Sequence, residues 1–513
     1  MSAPVVDGGN WWSPAGGRGS GVSRNADGVL RALTFVGFGA IGTAFLVGIL
    51  TASIEWLLAG IDMLVLGFIT TRIARRLAAW DGDDRTATLV LAGLGMKYLG
   101  CLLRILLTSI FYSGLADASE YDGWGRILAP HYRVLNFSDD VGALSGTGFM
   151  RSVTGVVYAL TGSSKPGGYV IFGWLAFIGA LLLWRAFRRA VPEGDSPRYA
   201  YLLFFLPSMI YWPSALGKDA WSLFCLGLIS YGVARVMSKG WVLGLPVAAA
   251  GLVGVGMLRP HIALTAFIGM VLAAGVGRTR SVSVGAPLAR IVVFGLLFVV
   301  GTVLLGRTSA FFGVSSLNQE TVAQTLENAQ GRTAEAGSNF TPVDVTSNPA
   351  NFPLAVVTVL FRPFPFEVTN VQSVLSAGEG VFLIWLTWRS RRRLRNLWRQ
   401  MRDAPYVAYS LGIVLSFTYA FSAFSNFGIL ARQRVQVLPF FLVLLCIPER
   451  APKADPAELD GIAPAGVAPQ EPFAGGPAPD DPYAAYRAEE TQRDDPYAAF
   501  RETTPRREDP YDR

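Results

Sequence analysis

Apolar residues in this chain come in long runs broken by short polar turns, rather than in alternation. A bilayer span takes roughly 20 apolar residues, fewer where flanking groups snorkel to the interface. On that rule the pattern predicts about twelve helices, near 30–50, 54–71, 86–110, 168–187, 199–213, 219–236, 241–258, 261–277, 288–306, 371–388, 405–424 and 430–447. The expected fold class is all-α: a polytopic integral membrane protein whose transmembrane domain fills residues 29–447. The short apolar piece 353–361, hemmed by Asn351, Pro353, Pro363 and Pro365, is read as re-entrant or interfacial.

Arginines set the expected orientation. Arg72, Arg75, Arg76 and Arg85 follow the second run, Arg185, Arg188 and Arg189 the fourth, Arg235 and Lys239 the sixth, and Arg278 and Arg280 the eighth. Seven arginines between Arg389 and Arg402 follow the tenth. All fall on one side if both termini are cytoplasmic, which places two long loops, about 112–166 and 307–368, outside the cell membrane.

Composition agrees: 51% of the 513 residues are hydrophobic and 16% charged. The net charge of +7 divides unevenly, since the residues from Glu449 onward hold 8 basic and 15 acidic side chains. The remainder therefore carries +14 and faces anionic lipid; because its arginines flank apolar runs, nucleic acid is not an expected partner. Residues 1–28 and 448–513 read as disordered cytoplasmic tails. The second tail repeats Asp481-Pro482-Tyr483, Asp495-Pro496-Tyr497 and Asp509-Pro510-Tyr511 at a spacing of fourteen, a pattern suited to a cytoplasmic docking partner or to a drifting duplicated linker. Cys101, Cys225 and Cys446 lie inside apolar runs, and His131 and His261 have no zinc spacing, so no metal site is legible.

The candidate chemistry gathers at the outer edge. In Leu206–Trp221, two prolines and Gly217 interrupt the helix and set Lys218 beside Asp219, where the chain emerges and re-enters. A helix cap is the alternative for this pair. Asp117, Glu120 and Asp122 reach the same edge, as do Arg259 and His261 in Leu258-Arg259-Pro260-His261, Arg362 before Pro363, and Arg432 and Arg434 in Ala431-Arg432-Gln433-Arg434. Carboxylates beside cations at a membrane surface suit sugar transfer from a lipid phosphate. A carboxylate takes the proton of the attacking hydroxyl, while cations hold the phosphate as it leaves. Lys97 and Arg104, inside the third run, are expected to pair with Glu55 or Asp62 of the second.

Ala116-Asp117-Ala118-Ser119-Glu120-Tyr121, followed by Gly146–Tyr158, Gly167–Arg189 and Pro207–Asp219, resembles the motif order of the GT-C membrane glycosyltransferases of mannosyl- and arabinosyltransferase type. The resemblance covers roughly 110–240 and departs in having two extra spans before the acidic loop. It implies a polyprenyl-linked sugar donor, a glycan or lipid acceptor, and Asp117 as catalytic base, with Glu120 or Asp122 assisting or holding a divalent cation. Arg259-Pro260-His261 and Ala431-Arg432-Gln433-Arg434 are similar instead to polysaccharide polymerases and O-antigen ligases, which implies His261 as the base. Read from their charge at the outer edge, Lys218, Asp219, Arg259, Arg362, Arg432 and Arg434 are the expected substrate- and phosphate-binding positions, and the two resemblances agree on donor class, membrane face and reaction type. The competing expectations are a lipid or glycan flippase, which would place its charges near the midplane, and a scaffold acting through the repeated tail.

Overall fold

The computed structural model describes residues 24–449 apart from 112–116, 139–140, 142–144, 239, 277–284, 313–320, 322–323, 326–339, 344 and 369–370; the tail repeats therefore lie outside the described residues. Among the described residues the chain is helical, without β-strands. Among those residues six helices are long and apolar enough to cross a membrane: α1 (Arg24–Leu50), α2 (Ile54–Asp81), α3 (Arg85–Phe111), α6 (Lys165–Ala190), α9 (Lys218–Met237) and α10 (Trp241–Leu258). The protein is thus an all-α membrane protein at the level of its apolar helices.

The predicted loop 112–166 holds two further helices, α4 (Asp117–Arg133) and α5 (Thr147–Thr161), packed face to face. Tyr121, Gly125, Leu128, Ala129 and Tyr132 bury one face of α4 at helical spacing, which is why a polar segment still folds as a helix. The predicted fifth span, 199–213, is not one helix. It divides into α7 (Ser196–Phe205) and α8 (Pro207–Tyr211), because Pro207 forces Leu206 into extended backbone.

The broken ends of α8 are satisfied by charge. Glu379 accepts from the Ser208 N–H at 2.7 Å and from its hydroxyl at 2.6 Å, and Lys97 donates to the Met209 carbonyl at 2.6 Å. A carboxylate at the start and an ammonium at the end match the helix dipole and the unpaired groups there. Lys97 therefore does not pair with Glu55 or Asp62; the free carbonyl of the broken helix takes it instead. Glu55 accepts from Arg126 at 2.9 Å, and Arg104 stacks on Tyr211 and Trp212.

The remaining helices are α11 (Pro260–Val276), α12 (Gly285–Phe312), α13 (Phe352–Phe361), α14 (Val371–Arg389), α15 (Arg391–Leu394), α16 (Leu397–Asp403), α17 (Pro405–Phe421), α18 (Phe427–Arg434) and α19 (Leu438–Leu445). The predicted last span is broken too, with α18 and α19 bent by 61°. α11 and α17 touch at glycine: a Cβ on Gly412 would lie 2.8 Å from the Gly269 Cα, so these backbones approach as closely as small residues allow.

Hydrogen bonds join the helix ends into two sets. At one end Asp81 binds Arg185 and Arg188, Arg189 donates to Ser238, Arg393 to Asp195, and Arg198 to Ser390. At the opposite ends of α2, α6 and α9 lie Glu55, Lys165 and Lys218 with the partners they hold. The arginine-rich turns and the candidate chemistry are thus separated by the length of the helices.

Candidate functional site

The site starts from Asp219, second residue of α9 and 6% exposed. Its carboxylate accepts from Arg259 Nη2 at 2.9 Å and, at the other oxygen, from Arg432 Nε. Arg259 occupies the turn between α10 and α11, where Pro260 starts the next helix, and Arg432 lies on α18. Arg432 also donates through Nη2 to Asp117 Oδ2 at 3.1 Å, tying in the first residue of α4. Lys218 Nζ donates to Thr147 Oγ1 at 2.9 Å, which anchors the start of α5. Four distant segments therefore meet at one point, with Asp219 in the first turn of α9 as the hub between two arginines.

This cluster forms the polar mouth of a cavity of about 1240 Å³. Below it the walls are apolar, from α11 (Leu264, Ile268, Leu272), α12 (Leu305) and α17 (Leu415). Lining residues on α11 run from His261 to Leu272, about 16 Å at 1.5 Å per residue. The groove is therefore elongated and largely apolar, with its charges at one end.

Two carboxylates and three cations leave the mouth with a surplus of one positive charge. The surplus falls on Lys218, which donates to the neutral Thr147 hydroxyl, while Arg259 and Arg432 face carboxylates. Arg259 Nη1 is in addition buried without a hydrogen-bond partner among the described residues. Asp117 is the accessible acid, its side chain 58% exposed, whereas Asp219 is enclosed by both arginines. His261 lines the cavity just inside the mouth, its ring 5.5 Å from that of Phe311 and 6.0 Å from that of Phe421.

Four expected site residues do not join the mouth. Glu120 pairs with Arg151 at 2.6 Å, and Asp122 with Arg126 at 3.0 Å and the Tyr158 hydroxyl at 2.7 Å. A divalent cation held by these two acids does not fit, since each is already engaged by an arginine. Among the described residues no group of three or more His, Cys, Asp or Glu is placed to hold a metal ion. Arg362 binds Glu367 and stacks on Phe340, 4.4 Å from the ring centre. Burial pulls the Glu367 carboxyl up, but Arg362 and the Phe364 N–H outweigh it and hold it below the ordinary carboxylate range. Arg434, 1% exposed, donates to the Leu360 and Arg362 carbonyls at 3.0 Å and faces Glu379 at 3.8 Å.

Glu379 and Thr147 were not among the expected site positions. Glu379 had a signal, as an isolated carboxylate inside an apolar run. Thr147 had none, because nothing in its surroundings distinguishes it from other loop threonines.

Comparison of the chain with protein-family models, with curated proteins and with solved structures finds no match.

Proposed function

We propose that this protein is a membrane glycosyltransferase that moves a sugar or glycan from a polyprenyl-phosphate donor to an acceptor at the extracytoplasmic face. The observation that carries the reading is the convergence of Lys218, Arg259 and Arg432, with Asp117 and Asp219, at the mouth of a single apolar groove. A lipid phosphate has the matching form, an anionic head on an extended apolar chain. Its tail fits the groove, and its phosphate is met at the mouth by Lys218 and Arg432, with the charge of the buried Arg259 behind them.

Asp117 is the general base of this scheme. It takes the proton of an acceptor hydroxyl as the oxygen attacks the anomeric carbon. The bond from that carbon to the phosphate oxygen breaks, and the leaving phosphate keeps the electron pair under the charge of Arg259, Arg432 and Lys218. Asp219 holds the two arginines at their spacing. The resemblance to the GT-C enzymes agrees with this assignment for Asp117, but Glu120 and Asp122 become ties that fix α4 rather than catalytic groups.

A second reading, glycan polymerase or ligase, is favoured by His261, which lines the same groove beside Arg259. The proposed topology has about twelve crossings, the shorter and broken helices adding to the six long ones, with both termini cytoplasmic. It is supported by the segregation of the arginine-rich turns from the mouth. A midplane flippase site is less well supported, since the charges collect at one end.

The test is sugar transfer from a polyprenyl-phosphate sugar by the full chain in proteoliposomes. Asp117→Asn should abolish transfer while donor binding persists. Unchanged turnover would overturn Asp117 as base, and loss confined to His261→Gln would favour the polymerase or ligase reading.

A further inference from the structure

The contacts of α4 and α5 fix the level at which this pair lies, and α5 is tied down at both ends. At its start the Gly146 N–H donates at 2.7 Å to the Met257 carbonyl in the last turn of α10. Phe149 packs there on Trp221 of the first turn of α9, ring centres 5.7 Å apart. Past its other end, Ser164 donates at 2.8 Å to the Glu55 carbonyl in the first turn of α2, and a Cβ on Gly162 would lie 3.5 Å from Leu58. α4 crosses the same helix starts, accepting from Lys165 Nζ at Ser119 and donating from Arg126 to Glu55, each at 2.9 Å. A helix about 21 Å long, fastened at both ends to the outer turns of helices long enough to span, lies along the membrane surface and not across it.

The outward side of the pair is apolar. α5 has one charged residue, Arg151, and Val153, Val156, Val157 and Leu160 share a face by helical spacing, with Leu160 82% exposed. α4 ends in a turn closed by bonds from the Leu135 N–H to the Tyr132 carbonyl and from the Asn136 N–H to the His131 carbonyl. The left-handed position that glycine usually fills in such a turn holds Leu135 instead, at φ 57° and 78% exposed. Val134 and Phe137 beside it are exposed as well. Arg133 donates to the Tyr158 and Ala159 carbonyls, both at 3.2 Å, which joins this tip to the Leu160 end of α5.

The neighbouring helix indicates what covers the patch. Leu58, against Gly162, shares a face of α2 with Ile54 and Ile61, and both isoleucines are exposed on a helix apolar enough to span. The patch therefore adjoins a side of α2 that acyl chains cover. We infer that α4 and α5 form an interfacial unit that dips Val134, Leu135, Phe137, Val156 and Leu160 into the leaflet on the mouth side. Its partner is a lipid surface. This goes beyond the sugar-transfer reading and does not depend on it, since none of these five residues lines the groove.

The experiment is electron paramagnetic resonance of the full chain in phosphatidylcholine nanodiscs, with a nitroxide on Leu160→Cys, Leu135→Cys or Glu193→Cys. The native cysteines are buried, so the introduced thiol takes the label. At Leu160 and Leu135, collisions with oxygen should exceed those with a water-soluble nickel chelate. At Glu193, exposed in the polar turn after α6, the order should reverse. A label at Leu160 and Leu135 that meets the nickel chelate more often would place the pair in water and overturn the inference. Shielding from both reagents would overturn it equally, because protein, such as a second copy of the chain, would then cover the patch. On the native chain, phosphatidylcholine with a diazirine in its acyl chain should cross-link within residues 152–164. Labelling of α2 without that segment would refute the inference with no variant to fold.

Discussion

Replacing Asp219 by alanine tests the hub of the mouth. Asp219 and Arg259 are 6% and 7% exposed and joined at 2.9 Å, so the substitution strands a buried guanidinium with no other carboxylate. Removing one partner of such a buried pair costs about 3–5 kcal/mol. Arg432 loses its link to Asp219 but keeps Asp117, an exposed acid whose contribution is about 1 kcal/mol at most. The stranded Arg259 therefore sets the size of the loss, and the expected destabilisation is about 3–5 kcal/mol. Thermal unfolding of the detergent-solubilised chain, followed by its monodisperse fraction, reads the effect. Pairing Asp219→Ala with Arg259→Gln removes both charges and should recover about 2 kcal/mol of the loss, a coupling within the range for contacting residues. If Asp219→Ala melts like a surface control, or if the two losses simply add, Asp219 is not what holds the arginines in place.

Three further outcomes follow from the geometry. Glu379→Ala leaves the Ser208 N–H and hydroxyl unpaired and exposes α8 to unwinding, so stability should fall by about 3 kcal/mol in the same melting assay. Leu415→Trp fills the groove from α17; it should abolish binding of farnesyl phosphate, measured calorimetrically, without lowering the melting temperature. Glu367→Gln should be less stable than the native chain at neutral pH, because the folded carboxyl is held below its ordinary value. A depressed value stabilises above the unfolded pKa and is lost as pH falls through the folded one, so the two melting curves should converge in acid.

Apolar run length made the long helices legible, and arginine placement made the two ends legible, because both express the cost of charge in hydrocarbon. The mouth was partly legible for the same reason: Lys218, Asp219, Arg259 and His261 stand out at the ends of apolar runs, whereas Asp117 and Arg432 stand among other polar residues. Which charges answer which was not. Arg362 and Arg434 look like Arg432 in sequence, yet one meets Glu367, five residues on, and the other turns to the Leu360 and Arg362 carbonyls. The helical spacing of Tyr121, Leu128 and Tyr132 in α4 was available, but a polar segment between apolar runs reads as loop when run length is the criterion.

The breaks at Leu206–Pro207 and at residues 212–217 together explain why the mouth exists at all. An uninterrupted helix through residues 199–237 would carry Lys218 and Asp219 along its flank, with their backbone N–H groups consumed in the helix. Division into α7, α8 and α9 instead places both residues at a helix start, where the dipole favours the carboxylate and the side chains reach Thr147, Arg259 and Arg432. The break costs unpaired backbone groups, and Glu379 and Lys97 meet that cost from α14 and α3. These two buried charges touch none of the mouth residues, yet the position of Asp219 depends on them. The polar surplus that makes an anion site is therefore held by charges on five helices, and it follows from two residues, Pro207 and Gly217, that deny the chain a simpler path.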